Sequence, residues 1–371
     1  MTLLSDPAVP SGAAPSAAAW PTPIAHFAAA DAEPVPGVRL RRVRAAAAEF
    51  RTWFAATGMP DTVTSHDLVT LPYPTRFGLW RAARTPAPYV WITNRLVVIR
   101  WTAEGRVRTL LFEPSDVELD AATPYFARLT ARTPRRIEPM MVKRHGTVLE
   151  QLRVLGIGVQ EVDYLVFDHL HTQDVRRWIG TTTPQRDISP ERPVEPVFPN
   201  ARLIVQRAEM EALRDLHPLQ RPWYLPHTYE DIRRDAVLEI EGDVLLAPGV
   251  ALLSTPGHTA GNQSLCINTD TGIWASSENV IAAELMTPEH SRIPGVAAWA
   301  REMDQEVILN ANTLEDAAAQ YTSCVKEKNV VDRSRRDPRF LQFLPSSELT
   351  PWRLAPGTAP TFVHGGIRHG A

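Results

Sequence analysis

The chain of 371 residues is 44% hydrophobic and 22% charged, with a formal net charge of −3. That balance suits a globular protein with a large core and argues against nucleic-acid or polybasic membrane surfaces, which need concentrated positive charge. Two cysteines, Cys266 and Cys324, exclude a disulfide framework, and no apolar run approaches the roughly 18 residues of a membrane span.

Residues 1–37 are rich in Ala, Pro and Ser and predict a mobile tail, because so few large apolar groups cannot offset the entropy of ordering. No basic start followed by an apolar stretch marks a secretory signal, so the expected compartment is the cytoplasm. Residues 38–371 read as one domain. A helix is predicted over 44–57, with Phe50, Trp53 and Phe54 at helical spacing and Gly58 and Pro60 as its stop. β-rich runs follow at 67–71, 89–93, 96–101 and 107–112, with Ala103-Glu104-Gly105 as a hairpin turn. A helix is predicted over 147–155 and a buried strand over 162–167. In the second half, strands are expected at 201–205, 237–239, 244–247, 250–254, 262–267 and 272–275. Helices are expected at 207–213 and, as an insertion around 297–327, at 297–309 and 314–326. Segments 181–199 and 333–357 read as loops. Strand-rich halves with helices after each predict two sheets covered by helices.

The first chemically informative segment is VDYLVFDHLHTQDVRRW, from Val162 to Trp178. A buried strand runs out at Phe167 and is followed at once by Asp168, His169, Leu170 and His171. Residues two apart in an extended chain point to the same side, so His169 and His171 can converge beyond the strand end, where open sheets place ligands. Two imidazoles at this spacing suit a divalent metal; the plain alternative is two solvent-facing loop histidines. The second segment, VALLSTPGHTAGNQSLCI, is a strand followed by a turn in which Pro256 and Gly257 present His258. A third imidazole would complete a tripod, the minimum for a catalytic zinc with an open position. No GxxxxGK, GxGxxG, GxSxG or CxxC pattern is present.

Together these segments resemble the metallo-β-lactamase superfamily. Its pattern His-x-His-x-Asp-His is followed by a Gly-His-Thr turn, an acidic residue after a strand, and a C-terminal His. The stretches FPNARLIVQRAEME and EGDVLLAPGVALLSTPGHT are similar to the branch that opens acyl-homoserine lactones. The resemblance covers roughly residues 65–371. It implies an α/β fold, a four-layered αββα sandwich, and a hydrolase in which metal-activated water attacks an ester, lactone or thioester. It implies that His169, His171 and His258 hold a first metal, zinc foremost. Gln173, Asp174, Glu278 and His364 would surround a second, with His369 the competitor for the last position. Gln173 and Asp174 stand where the family has Asp and His, and Glu278 where it has Asp. That oxygen-richer set suits zinc, manganese or iron, or leaves the second position empty. Asp174 or Glu278 would orient water and carry a proton; otherwise Asp174 caps the helix that follows it. The alternatives are an iron-dependent redox enzyme on the same fold, or a non-catalytic protein binding metal or a small ligand. The partner expected is a small molecule, not nucleic acid or membrane, with a homodimer left open.

Overall fold

A computed structural model describes residues 20–133, 136, 138–311 and 316–370. In chain order its main elements are β1 (Thr22–Pro23), α1 (Pro36–Thr57), β2 (Thr62–Pro74), β3 (Tyr89–Ala103), β4 (Arg106–Phe112), α2 (Pro124–Arg132), α3 (Val148–Val154), β5 (Tyr164–Val166), β6 (Arg202–Gln206), α4 (Arg207–Ala212), β7 (Val237–Ile240), β8 (Val244–Ala247), β9 (Val250–Ser254), β10 (Gln263–Thr269), β11 (Gly272–Ser276), α5 (Val296–Glu302), α6 (Ala317–Val330), β12 (Ser347–Thr350) and β13 (Arg368–His369).

One sheet has the order β1-β8-β9-β10-β11 and is antiparallel. The other runs β7-β6-β5-β4-β3-β2-β13, with β12 added to β3. It is parallel from β7 to β4 and antiparallel beyond. The period-2 alternation of strand side chains builds the layers. On β9, Val250 and Leu252 face the core between the sheets, while Ala251 and Leu253 face the helices. On β6, Ile204 points into the inter-sheet core and Leu203 and Val205 point away from it. Both faces of these strands are buried, which is why they read as continuous apolar runs. Phe50 and Phe54 of α1 and Cys324 and Val325 of α6 cover the first sheet; Val148 and Leu152 of α3 and Met210 of α4 cover the second. The result is the expected four-layered αββα sandwich.

Several bounds differ from expectation. The runs at 89–93 and 96–101 are a single strand, β3, and α1 begins at Pro36, whose fixed φ suits a first helical turn. The segment 303–309, expected to continue a helix, leaves helical geometry after Glu302. The hairpin expected at 103–105 is present, and Glu104 and Gly105 both take the left-handed region there. The tail expected over 1–37 needs correction in its second half; residues 1–19 lie outside the described residues. From Trp20 onward the segment is packed. The Trp20 indole donates to the Leu246 carbonyl at 2.9 Å, β1 pairs with β8, and Phe27 is fully buried against Phe50. Three large apolar groups (Trp20, Ile24, Phe27) within eight residues are enough to anchor it, despite the Ala/Pro-rich composition. No described helix is long and apolar enough to cross a membrane.

Candidate metal centre

His169 and His171 lie in the loop after β5, and His258 in the turn after β9. The carboxyl ends of strands from both sheets thus meet at one edge. The three rings are buried, with centroids 4.6 Å apart for His169–His171 and His169–His258 and 5.2 Å for His171–His258. One ligand nitrogen from each lies within 4.8 Å of the others, and among the described residues no other group of three His, Cys, Asp or Glu side chains converges in this way.

Each turn is built for this. Thr172 takes a left-handed backbone (φ +62°), and its N–H donates to the Trp223 carbonyl at 2.7 Å. Gly257 presents His258 at φ +127°, and a Cβ there would lie 2.1 Å from the Gln320 nitrogen, so only glycine fits. The outer nitrogen of every ring is already engaged. His169 Nδ1 bonds to Asp168 Oδ1, His171 Nε2 to Gln220 Oε1, and His258 Nδ1 donates to the Asn310 carbonyl at 2.9 Å. Such partners fix the tautomer and turn the other nitrogen inward. His169 Nε2 is buried with no hydrogen-bond partner. An orphaned imidazole nitrogen facing two more imidazoles fits zinc and its first-row neighbours.

A buried carboxylate holds the two histidine loops together. Glu209 Oε1 accepts from Leu170 N–H (2.9 Å) and Tyr224 O–H (2.6 Å); its Oε2 accepts from Thr259 O–H (2.7 Å) and Gly261 N–H (3.1 Å). Asp168 also accepts from Ser346 Oγ at 2.7 Å. Burial tends to neutralise His169, but the adjoining Asp168 carboxylate outweighs it and holds the ring up at about 9. Burial, then the charge of His169, lowers His258 to about 3, and burial pushes His171 down as well.

Glu278 follows β11, and its Oε2 lies 3.8 Å from His169 Nε2. Its loop is clamped. Asn310 donates to the Glu278 carbonyl at 2.9 Å, and Glu327 accepts from Ser277 (2.6 Å) and Asn279 (2.9 Å) on either side. Desolvation moves the Glu278 carboxyl up to about 7, against the pull of His169. Glu278, His171 and Gln173 open onto a cavity of about 180 Å³ whose other walls are largely apolar, among them Leu71, Ile92, Phe126, Leu129 and Trp223.

Of the other residues expected around a second metal, Asp174, His364 and His369 are bonded elsewhere, and Gln173 is bonded through Nε2 while its Oε1 is buried with no hydrogen-bond partner. Asp174 is not turned to the triad: its carboxylate is taken by Arg176 through the backbone N–H, Nε and Nη2 at 2.6–3.1 Å. The N-cap of the short helix opened by Arg176 is Val175, with no side-chain cap bond, so Asp174 meets the capping alternative only in its one bond to the Arg176 N–H. Gln173 donates through Nε2 to Ser115 Oγ at 3.0 Å. His364 is packed between Trp274 and Phe362 with Nε2 on the Leu341 carbonyl at 2.7 Å, and His369 pairs with Asp270. Neither joins the triad. Sequence reasoning missed Asp168, Glu209, Gln220, Asn310 and Glu327. Only Asp168, next to His169, carried a local signal.

The fold and the histidine triad are those expected from the resemblance to the metallo-β-lactamase superfamily. Within it, the sequence is similar to N-acyl homoserine lactonases: 45% identical over 123 residues to that of a Bacillus species (33% of this chain, 40% of the relative), and 42% over 135 residues to that of Bacillus cereus (36% and 44%). The chain thus spans less than half the length of these relatives. No family model matches the chain. Similar solved structures include a quorum-quenching N-acyl homoserine lactone lactonase (20% identity, TM-score 0.41, covering 67% of this chain and 87% of that one). Another is a dizinc quorum-quenching lactonase (11%, 0.45, 71% and 82%).

Proposed function

We propose that the protein is a metal-dependent hydrolase that opens a lactone or cleaves an ester or thioester carrying an apolar acyl arm, with N-acyl homoserine lactones the first substrates to try. The observation that carries this is the triad itself: three buried imidazoles, each oriented from behind by a hydrogen-bond partner, with His169 Nε2 unpartnered. His169, His171 and His258 would hold the ion. When bound, a divalent ion there activates water and polarises a carbonyl.

The chain's own residues do the rest. Glu278 is the carboxylate on the cavity side of the triad, placed to take a proton from the attacking water and pass it to the leaving oxygen or sulfur. Asp174, held by Arg176, is not available for that role. Leu71, Ile92, Phe126 and Leu129 line an apolar chamber suited to an acyl chain, while His171, Gln173 and Glu278 form its polar end. Asn310 joins the parts. It accepts from His258, donates to the Glu278 carbonyl, and accepts the Tyr73 hydroxyl at 2.9 Å on its side chain.

The test is ring opening of N-hexanoyl and N-decanoyl homoserine lactones, followed as acid release, before and after chelation and after zinc, manganese or iron is restored. Turnover that vanishes with the metal and returns with it supports the reading. Undiminished turnover in the metal-free protein, or no hydrolysis of lactone, ester or thioester by the loaded protein, overturns it.

A further inference from the structure

Asp174 and Arg176 form a closed ionic unit beside the triad. Asp174 is 1% exposed and Arg176 4%. Asp174 Oδ1 accepts the Arg176 backbone N–H and Nε–H, each at 3.0 Å, and Oδ2 accepts Nη2–H at 2.6 Å. The opposite edge of the guanidinium binds Asp187 through Nη1 (2.8 Å) and Nη2 (2.7 Å), and Nη1 also donates to Gln185 Oε1 at 3.0 Å. All five guanidinium hydrogens have acceptors, and two carboxylates flank it in the fork geometry that arginine favours. Moving Asp174 onto a metal would strip a buried cation of its buried partner, which is far costlier than never having formed the pair.

Among the other oxygens near the triad, Gln173 Oε1 is buried without a hydrogen-bond partner, whereas the carboxylates of Asp168 and Asp120 are bonded. Asp168 is bonded to His169 and Ser346. Asp120 accepts the Asp174 backbone N–H at 2.9 Å. Gln173 brings no charge, and the His364 imidazole lies against Trp274. Of the residues expected around a second ion, only the Glu278 carboxylate reaches the triad. Three imidazoles bring no negative charge and Glu278 brings one; a second dication would need a further carboxylate ligand, and Asp174, the one expected there, is taken by Arg176.

We infer that the centre takes one metal ion per chain, and that the Arg176 guanidinium gives Asp174 the positive charge that a second ion would bring. The inference rests on the proposed function in one respect, that the triad binds metal at all. The chain's acid–base group is then Glu278 alone, and Asp174 is a positioning residue that fixes the loop carrying His171.

Metal content tests it on the full chain, grown in zinc-supplemented medium and measured by elemental mass spectrometry. One equivalent is expected. Two equivalents overturn the inference and leave the hydrolase reading standing; none overturns that reading, and the inference with it. Cobalt titration of the metal-free wild type gives a second measure that needs no variant. The expected endpoint is one equivalent with the paramagnetic resonance spectrum of an isolated ion, and a spin-coupled pair overturns the inference. The variant Asp174→Asn is expected to melt at a lower temperature yet keep its one equivalent. Loss of that equivalent from folded Asp174→Asn protein would show Asp174 to be a ligand.

Discussion

Glu209 Oε2 accepts the backbone N–H of Gly261 at 3.1 Å, and a Cβ on residue 261 would lie 2.3 Å from the Glu209 backbone nitrogen. The same carboxylate accepts Leu170 N–H, so one buried side chain ties the His169–His171 loop to the His258 turn. All four of its partners donate. Glu209→Gln puts an amide N–H₂ against either Leu170 N–H or Gly261 N–H. We expect a stability loss of at least about 2 kcal/mol and metal affinity weakened about 10- to 100-fold. Denaturant unfolding and a metal-binding titration check both. Wild-type metal affinity in this variant would refute the clamp.

Glu278→Gln keeps the size of the side chain and removes its basicity. If Glu278 carries the proton, kcat should fall by about 10²- to 10⁴-fold with metal content unchanged. A matching loss of metal would mark Glu278 as a ligand instead.

What was legible in the sequence was local. His169 and His171 share one strand end, and His258 sits in a Pro-Gly turn, so spacing and turn chemistry marked them as candidates and the resemblance joined them. Buried strands announced themselves as apolar runs. The clamp did not: Glu209 lies 39 positions from Leu170 and 52 from Gly261, and on its own helix it reads as a surface carboxylate. Asp174, which the resemblance assigns to a metal, is bonded to Arg176, two residues along the chain, a partner that the spacing itself offered. His364 was chosen from its place near the end of the chain, whereas its surroundings depend on where Trp274 and Phe362 fall in the fold.

The N-terminal segment gives a third prediction. Phe27 is fully buried, 5.5 Å from the Phe50 ring and 4.3 Å beneath the Lys326 ammonium. Phe27→Ala should cost about 3–5 kcal/mol, and removal of residues 1–37 at least as much. Unfolding midpoints of the two proteins equal to wild type would contradict this packing.

His364 supplies a pH signature. Burial lowers its pKa to about 4, against the hydrogen bond to Leu341, whereas the unfolded chain titrates near 6.5. Above about pH 6.5 both states are neutral and the residue has no effect on stability. As pH falls from there towards about 4, the unfolded chain takes up a proton that the folded chain refuses, and stability is lost, by about 3 kcal/mol in full. His364→Gln keeps a donor for the Leu341 carbonyl and should flatten this limb in unfolding measured at about pH 7 and about pH 5. It should leave metal content untouched, because His364 is outside the triad. An unchanged pH slope would contradict the first point, and lost metal the second.

The proposed metal-binding tripod is His169, His171 and His258. Anomalous diffraction at the zinc absorption edge, on crystals of the zinc-loaded protein, tests it most directly. One peak is expected, bonded to all three imidazoles at about 2.0–2.1 Å through the nitrogens that face away from Asp168, Gln220 and Asn310. Zinc bound elsewhere, or no peak among these rings, would contradict it.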